Sequence, residues 1–311
     1  MRPRARRPRP AVVAALAAAF VLAVISPAAA QRRLERGVPA AGDATIRVYN
    51  LSGATTITGW DRDSIAVTAV LDAGAGRLYL GGSRSAIKLG VESSEGGMIG
   101  GAATHGPAPA ARLEVRVPRG SVVWVKAADA SIDVDGVQGG LDLYSVTGNV
   151  SVRGAPSTVR AESMEGAISI DARTPWARAK TASGSIDLAG DISDVAATTV
   201  GGTIRAAASR QARARLESVT GEVVVTGRPT RGGAWEVETH SGSVTLALAR
   251  DTDAEIAVHT FGGEVRTELG EVASRREDDL AGSEIEIRIG DGGTSFTVRT
   301  FKGPVAVVPA R

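Results

Sequence analysis

The chain predicts an all-β fold, a β-solenoid or parallel β-helix-like stack of two-strand coils, with covering segments at its N- and C-terminal ends. Three observations predict it. Ala130, Gly148, Gly166, Gly184, Gly202, Gly221, Gly242 and Gly263 recur at a near-constant interval along the chain, 18 at first and lengthening to 21 toward Gly263. Apolar residues recur two and four positions after each of them, as in Val150/Val152, Ile168/Ile170 and Val223/Val225, and less purely in Val265/Thr267. Apolar residues also stand seven and five positions before each, from Val123/Val125 to Ile256/Val258. Alternation at period two inside a fixed longer period means short strands repeated in phase every turn, the signature of stacked coils. A helix is excluded because the residues between the apolar positions are Gly, Ser, Thr, Asp and Arg, and Val, Ile and Thr dominate the pattern.

The elements follow in chain order. Residues 1–30 read as an export signal: Arg2, Arg4, Arg6, Arg7 and Arg9 precede an apolar run from Ala11 to Ile25, and Ala28-Ala29-Ala30 supplies a cleavage site before Gln31. The run is shorter than the roughly 20 residues of a spanning helix, and no second run reaches that length, so no membrane span is expected after cleavage. Residues 31–311 are read as one solenoid domain. Its first coil is carried by Ile46, Val48, Asn50, Gly53, Thr55 and Ile57. A Gly- and Ala-rich insertion follows at 71–112, then the eight regular repeats. A charged insertion at 268–295 holds SRREDD, a strand IEIRI and a turn GDGG, the pattern of a hairpin. A last coil is carried by Phe296, Val298, Thr300, Gly303, Val305 and Val307. One coil alone has too little apolar surface to offset its ordering entropy, so contacts between coils must stabilise it.

Two positions mark one corner of each coil. The glycine is expected to turn the chain between two sheets through a positive φ. Three residues before it stands Ser145, Ser163, Thr181, Thr199, Ser218, Thr239 or Thr260, with Ala127 as the exception. Parity turns that hydroxyl inward, where it can satisfy the backbone of the turn.

The lead-in Val117-Pro118-Arg119-Gly120 and the run SVTGNVSV, SMEGAISI, TASGSIDL, TVGGTIRA, SVTGEVVV, THSGSVTL and TFGGEVRT resemble a bacterial family of exported β-strand-repeat proteins, domain of unknown function 4097, often labelled adhesin-like. The resemblance spans nearly all of residues 31–311. It implies a β-solenoid at the cell envelope and supplies no catalytic residues.

Composition narrows the function classes. The whole chain carries 36 basic and 34 acidic residues; without the five leader arginines the balance is 31 to 34, a formal charge of −3. That balance gives no electrostatic case for nucleic-acid binding. The absence of cysteine excludes disulfides, thiolate metal sites and a thiol nucleophile. No phosphate loop, HExxH motif or calcium-binding nonapeptide is present, so no cofactor is expected.

Candidate functional residues therefore lie in the outward columns. After the glycine, Ser131, Asn149, Ser151, Ser169, Ser185, Thr203 and Ser243 form a face of small hydrogen-bonding groups suited to a glycan or an envelope protein. Before it, Glu217, Glu238 and His259 are expected on neighbouring coils with Glu236 alongside, the one set able to gather a divalent ion. Arg215 is placed to pair the glutamates, which makes a mixed-charge ladder the simpler reading. His240 lies beside Ser241 and Ser243, but without a nucleophile elbow or an oxyanion-forming turn. Trp235 has inward parity and Trp124 outward parity. The chain thus reads as an exported, non-catalytic, adhesin-like or envelope structural module. Two alternatives are an extracellular polysaccharide-active enzyme, which would need a carboxylate pair in a cleft, and a component of envelope-stress signalling.

Overall fold

The computed structural model describes residues 31–91, 109–278 and 282–310. The leader at 1–30 and the centre of the Gly/Ala-rich insertion lie outside the described residues.

Among the described residues every regular element is a β-strand. Alternation of side chains explains why. In Gly140–Ser145, Leu141 and Leu143 are buried while Asp142 is exposed, and the same phase recurs in Thr158–Ser163, Arg213–Ser218 and Ala234–Thr239. Equivalent strands pair in parallel and in register: Leu141 faces Val159, Val159 faces Ala177, Ala177 faces Val195 and Val195 faces Ala214. Strands after the glycine do the same, with Val150, Ile168, Ile186, Ile204, Val223 and Val244 in one line. The two sheets enclose a single apolar column. Trp235 lies in it, 2% exposed, stacked on Phe296 at 5.6 Å.

The corner hydroxyls do what parity predicts. The Gly148 N–H donates to Ser145 Oγ at 3.0 Å, and Ser145 Oγ donates to the Ala130 carbonyl of the coil below at 3.0 Å. Ser163, Thr181 and Thr199 repeat the first bond with Gly166, Gly184 and Gly202. In the first coil Asn50 takes this place, and its amide donates to the carbonyls of Ala54 and Ala111.

The reason for the glycines differs from the expectation. None of the seven repeat glycines has a positive φ; those angles occur elsewhere, for example at Gly190 in the opposite corner. What the column needs is close approach between coils. A Cβ at Gly202 would lie 1.8 Å from the Gly184 carbonyl oxygen, and one at Gly184 would lie 2.1 Å from that of Gly166. Ala130 faces Gly53 of the first coil, in a coil where Val122–Asp135 runs through as one continuous strand.

Spatial order departs from chain order at both ends. The first coil, Thr45–Trp60, lies between the coil formed by Ala86–Val91 with Ala111–Pro118 and the coil of Val122–Asp135. The interruption expected at 71–112 therefore contains strands of a further coil. At the other end, Thr294–Thr300 and Val305–Pro309 lie between the coil of Ala234–Leu248 and that of Ala254–Thr267. The hairpin Glu271–Asp278/Gly282–Ile289 explains this placement. It pairs antiparallel on the outer edge of Ala254–Thr260 and leaves the inner edge open to the final strands. At the N-terminal end, Ser64–Leu71 and Arg32–Pro39 extend one sheet in antiparallel steps, and Leu78–Gly82 extends the other.

Candidate functional site

Three outward surfaces follow from the register. On the first, Ser131, Ser151, Ser185, Thr203 and Ser243 are half-buried, while Asn149 and Ser169 are exposed. Ser151 and Ser169 are direct neighbours, and Asn149 spends its side-chain oxygen on the Ala167 N–H at 2.9 Å. The surface is flat, because successive strands align without offset.

The second surface carries the charged columns before the glycine. Here the end interleaving corrects the expected metal set. Glu217 faces Glu238, but Glu238 faces Arg299, and Arg299 faces His259. A guanidinium thus separates the imidazole from the glutamates. Among the described residues no cluster of three metal-binding side chains forms. Arg215 pairs with Glu217 and reaches Glu236 at 3.4 Å, and Arg299 reaches Glu236 at 2.7 Å. The hydrogen bond to Glu217, followed by the charges of Glu217 and Glu236, raises the Arg215 pKa further. His259 lies 3.8 Å from Glu284 of the terminal hairpin. Lower on this face, burial raises the Asp142 pKa, opposed by the nearby Arg160 charge. Trp124, beside it, packs edge-on against Tyr49 at 5.3 Å.

The third surface is the corner between these two. Two positions before each glycine stand Val146, Met164, Ala182, Val200, Val219 and His240, then Phe301 and Phe261 in spatial order. Of the eight large apolar side chains exposed among the described residues, five are in this one column: Met164, Val200, Val219, Phe261 and Phe301, each at least 40% exposed. Its far end is aromatic. His240 stacks on Phe301 at 5.0 Å, Phe301 stacks on Phe261 at 5.1 Å, and Lys302 Nζ lies 5.6 Å from the Phe301 ring centre. His240 thus belongs to the aromatic end of the column. An open groove of about 720 Å³ runs beside the aromatic end, lined by Arg215, Glu217, Glu238, His259 and Arg299 on the charged side.

The exposed column had a sequence signal. In SVTG, SMEG, TASG, TVGG, SVTG, THSG, TFGG and TFKG the residue after the Ser or Thr is apolar or aromatic in every repeat, although it lies in the turn between two strands, where strand parity assigns no face.

Fold and surfaces define a repeat-built all-β module that presents long, regular sides and one apolar corner. The chain belongs to the Toastrack DUF4097 family, which it matches over residues 44–307. Among solved structures it is similar to a candidate cell adhesion protein of Clostridium sporogenes, at 8% identity and a TM-score of 0.23, covering 90% of this chain and 100% of that one. It is similar also to a candidate adhesin of Bacteroides fragilis, at 9% identity and a TM-score of 0.42, covering 90% and 99%. At these scores neither likeness bears on function. No curated protein matches the sequence significantly. Among the described residues no helix is long and apolar enough to cross a membrane.

Proposed function

We propose that the chain is an exported, non-catalytic binding module of the cell envelope that meets a glycan or another extended polymer along its apolar corner. One observation carries this reading: five of the eight exposed large apolar residues among the described ones are gathered into a single ladder, where scattered single residues would need no explanation. A ladder with one side chain per coil suits a partner that is itself repetitive. Sugar C–H surfaces can lie against Val219, His240 and Phe301, while hydroxyls find Thr220, Ser241 and the post-glycine face of Ser151, Ser169, Ser185 and Ser243 on one flank. Glu238 and Arg299 stand on the other flank. The non-catalytic part rests on the charged groove. It is open, its Glu217 is tied to Arg215, and Arg299 stands between its Glu238 and His259, so no carboxylate pair is enclosed there.

A glycan array, with pull-down from envelope material, tests this using three proteins. These are the native chain, a Phe261→Ser/Phe301→Ser variant and a Ser151→Arg/Ser169→Arg/Ser185→Arg variant. Loss of binding in the Phe variant alone places the partner on the corner, and loss in both extends the site over the hydroxyl face. Undiminished binding by both variants, or no binding by the native chain, refutes the reading.

A further inference from the structure

The two ends of the stack differ from its sides in a way that points to a partner. Core residues that are only partly covered occur at the ends: Leu34, Val38, Ala41 and Leu80 at the first, Val265 at the second. The outermost strands there, Arg32–Pro39 and Leu78–Gly82 at one end, Val265–Thr267 and Glu271–Asp278 at the other, each pair on one side only among the described residues. Unpaired edge strands are templates for pairing with another chain.

The ends are also stepped in opposite senses. Beyond its last full coil, the N-terminal end extends the post-glycine sheet by two strands and the pre-glycine sheet by one. The C-terminal end extends the pre-glycine sheet by two strands and the post-glycine sheet by none. The step is one strand high at the N-terminal end and two at the C-terminal end, so Leu78–Gly82 and Glu271–Asp278 are the edges that come together first. Strand directions are compatible as well. Two successive antiparallel pairings return Arg32–Pro39 to the direction of the stack, so it would meet Val265–Thr267 in parallel. By the same count Leu78–Gly82 would meet Glu271–Asp278 antiparallel.

Charge selects the pairing of unlike ends. Arg32–Pro39 carries three arginines and one glutamate, a net charge of +2. Residues 264–271 carry Glu264, Glu268 and Glu271 against Arg266, a net charge of −2. Arg33 is tied to Glu35 and Arg266 to Glu264 within their own ends. Among the described residues Arg36, Glu268 and Glu271 form no ion pair. Like ends repel and unlike ends attract, which both guards the edges and directs them.

We infer that the protein assembles head to tail with further copies of itself, the positive N-terminal end of one seated on the negative C-terminal end of the next. Such a heterologous contact does not close on itself, so it builds a filament. The apolar corner column would then run on from copy to copy.

Sedimentation velocity over a range of concentrations tests this, using the protein produced with its own leader. The expected result is a growing series of dimer, trimer and longer species, weakened by salt. Arg36→Glu, and separately Glu268→Arg/Glu271→Arg, each reduce the association constant by roughly tenfold without changing the melting temperature. Mixing the two variants restores association, because their unaltered ends then meet each other and their altered ends carry opposite charge. A monomer at every concentration, a closed dimer that does not grow, or variants that associate as the native chain does would overturn the inference.

Discussion

Two adjacent glycines distinguish chain flexibility from close packing as the reason for the corner. Gly201 has open space around the position of a Cβ, its nearest heavy atom being Thr220 Oγ1 at 3.7 Å. Gly202 has the Gly184 carbonyl oxygen at 1.8 Å, and that oxygen belongs to the turn two residues before Ile186, which is held in the ladder on both sides. Neither residue has a positive φ. Gly202→Ala is therefore expected to cost roughly 3 kcal/mol, since the coils must separate to admit one methyl group. Gly201→Ala should stay within about 0.5 kcal/mol of the native chain. Urea denaturation of the two variants measures both. Equal costs would return the explanation to backbone conformation. At this scale the sequence shows which residue repeats but not why. A recurring glycine is required equally by a left-handed turn and by a neighbouring carbonyl, and only the stacked neighbour tells them apart. The hydroxyl three residues earlier is legible in full, because its role is local: Thr181 Oγ1 and the Gly184 N–H belong to one turn.

The coil is the element at which chain order and spatial order part. Every coil presents the same offsets, so Phe296, Val298 and Thr300 fit the rung beside Trp235, Val237 and Thr239 as well as Ile256, Val258 and Thr260 would. The local pattern records membership of the stack and carries no mark of the neighbour. That is why the sequence sets Glu238 beside His259 and hides the Arg299 that stands between them. The exposed corner column escapes sequence reasoning for another reason: strand parity sorts residues into inward and outward slots and passes over the turn between two strands. Because the last coil is internal, its core residue must serve both neighbours. Phe296 is fully buried, stacks on Trp235 and faces Ile256 on its other side. Phe296→Ala is expected to destabilise the protein by about 3–5 kcal/mol. Amide exchange should accelerate together in Ala234–Thr239 and Ala254–Thr260. Were the last coil a terminal cap, exchange would change in only one of those strands.

Across the whole molecule the middle coils are interchangeable and the ends are not, which makes the number of coils a variable. From Gly140 to Gly227 each coil pairs with the coil before it and the coil after it in the chain, through parallel strands in identical phase. Stability of such a stack is close to a sum over coils and interfaces, so one coil can be removed if phase is kept. Deleting Ser169–Ile186, one full period, joins Ile168 to Asp187 and leaves Leu188 in the inward slot that Ile170 held. The junction restores one ordinary coil, with Val150 and Val152 below it and Ile204 and Ala206 above. That protein should melt in one cooperative step within ~4 °C of the native chain, the shift that about 1 kcal/mol produces at this size. Deleting Ser169–Ser185, shorter by a single residue, joins Ile168 to Ile186 and moves every later residue of the strand by one place. Asp187 then points into the core and Leu188 into solvent, because a shift of one residue exchanges the two faces of a strand. A buried carboxylate without a partner is costly enough to break the stack at that coil. The shorter deletion should therefore be the damaging one, with no cooperative melt or one far below the native temperature. If thermal melts followed by circular dichroism instead ranked the two by length removed, the coils would not be the unit of this fold.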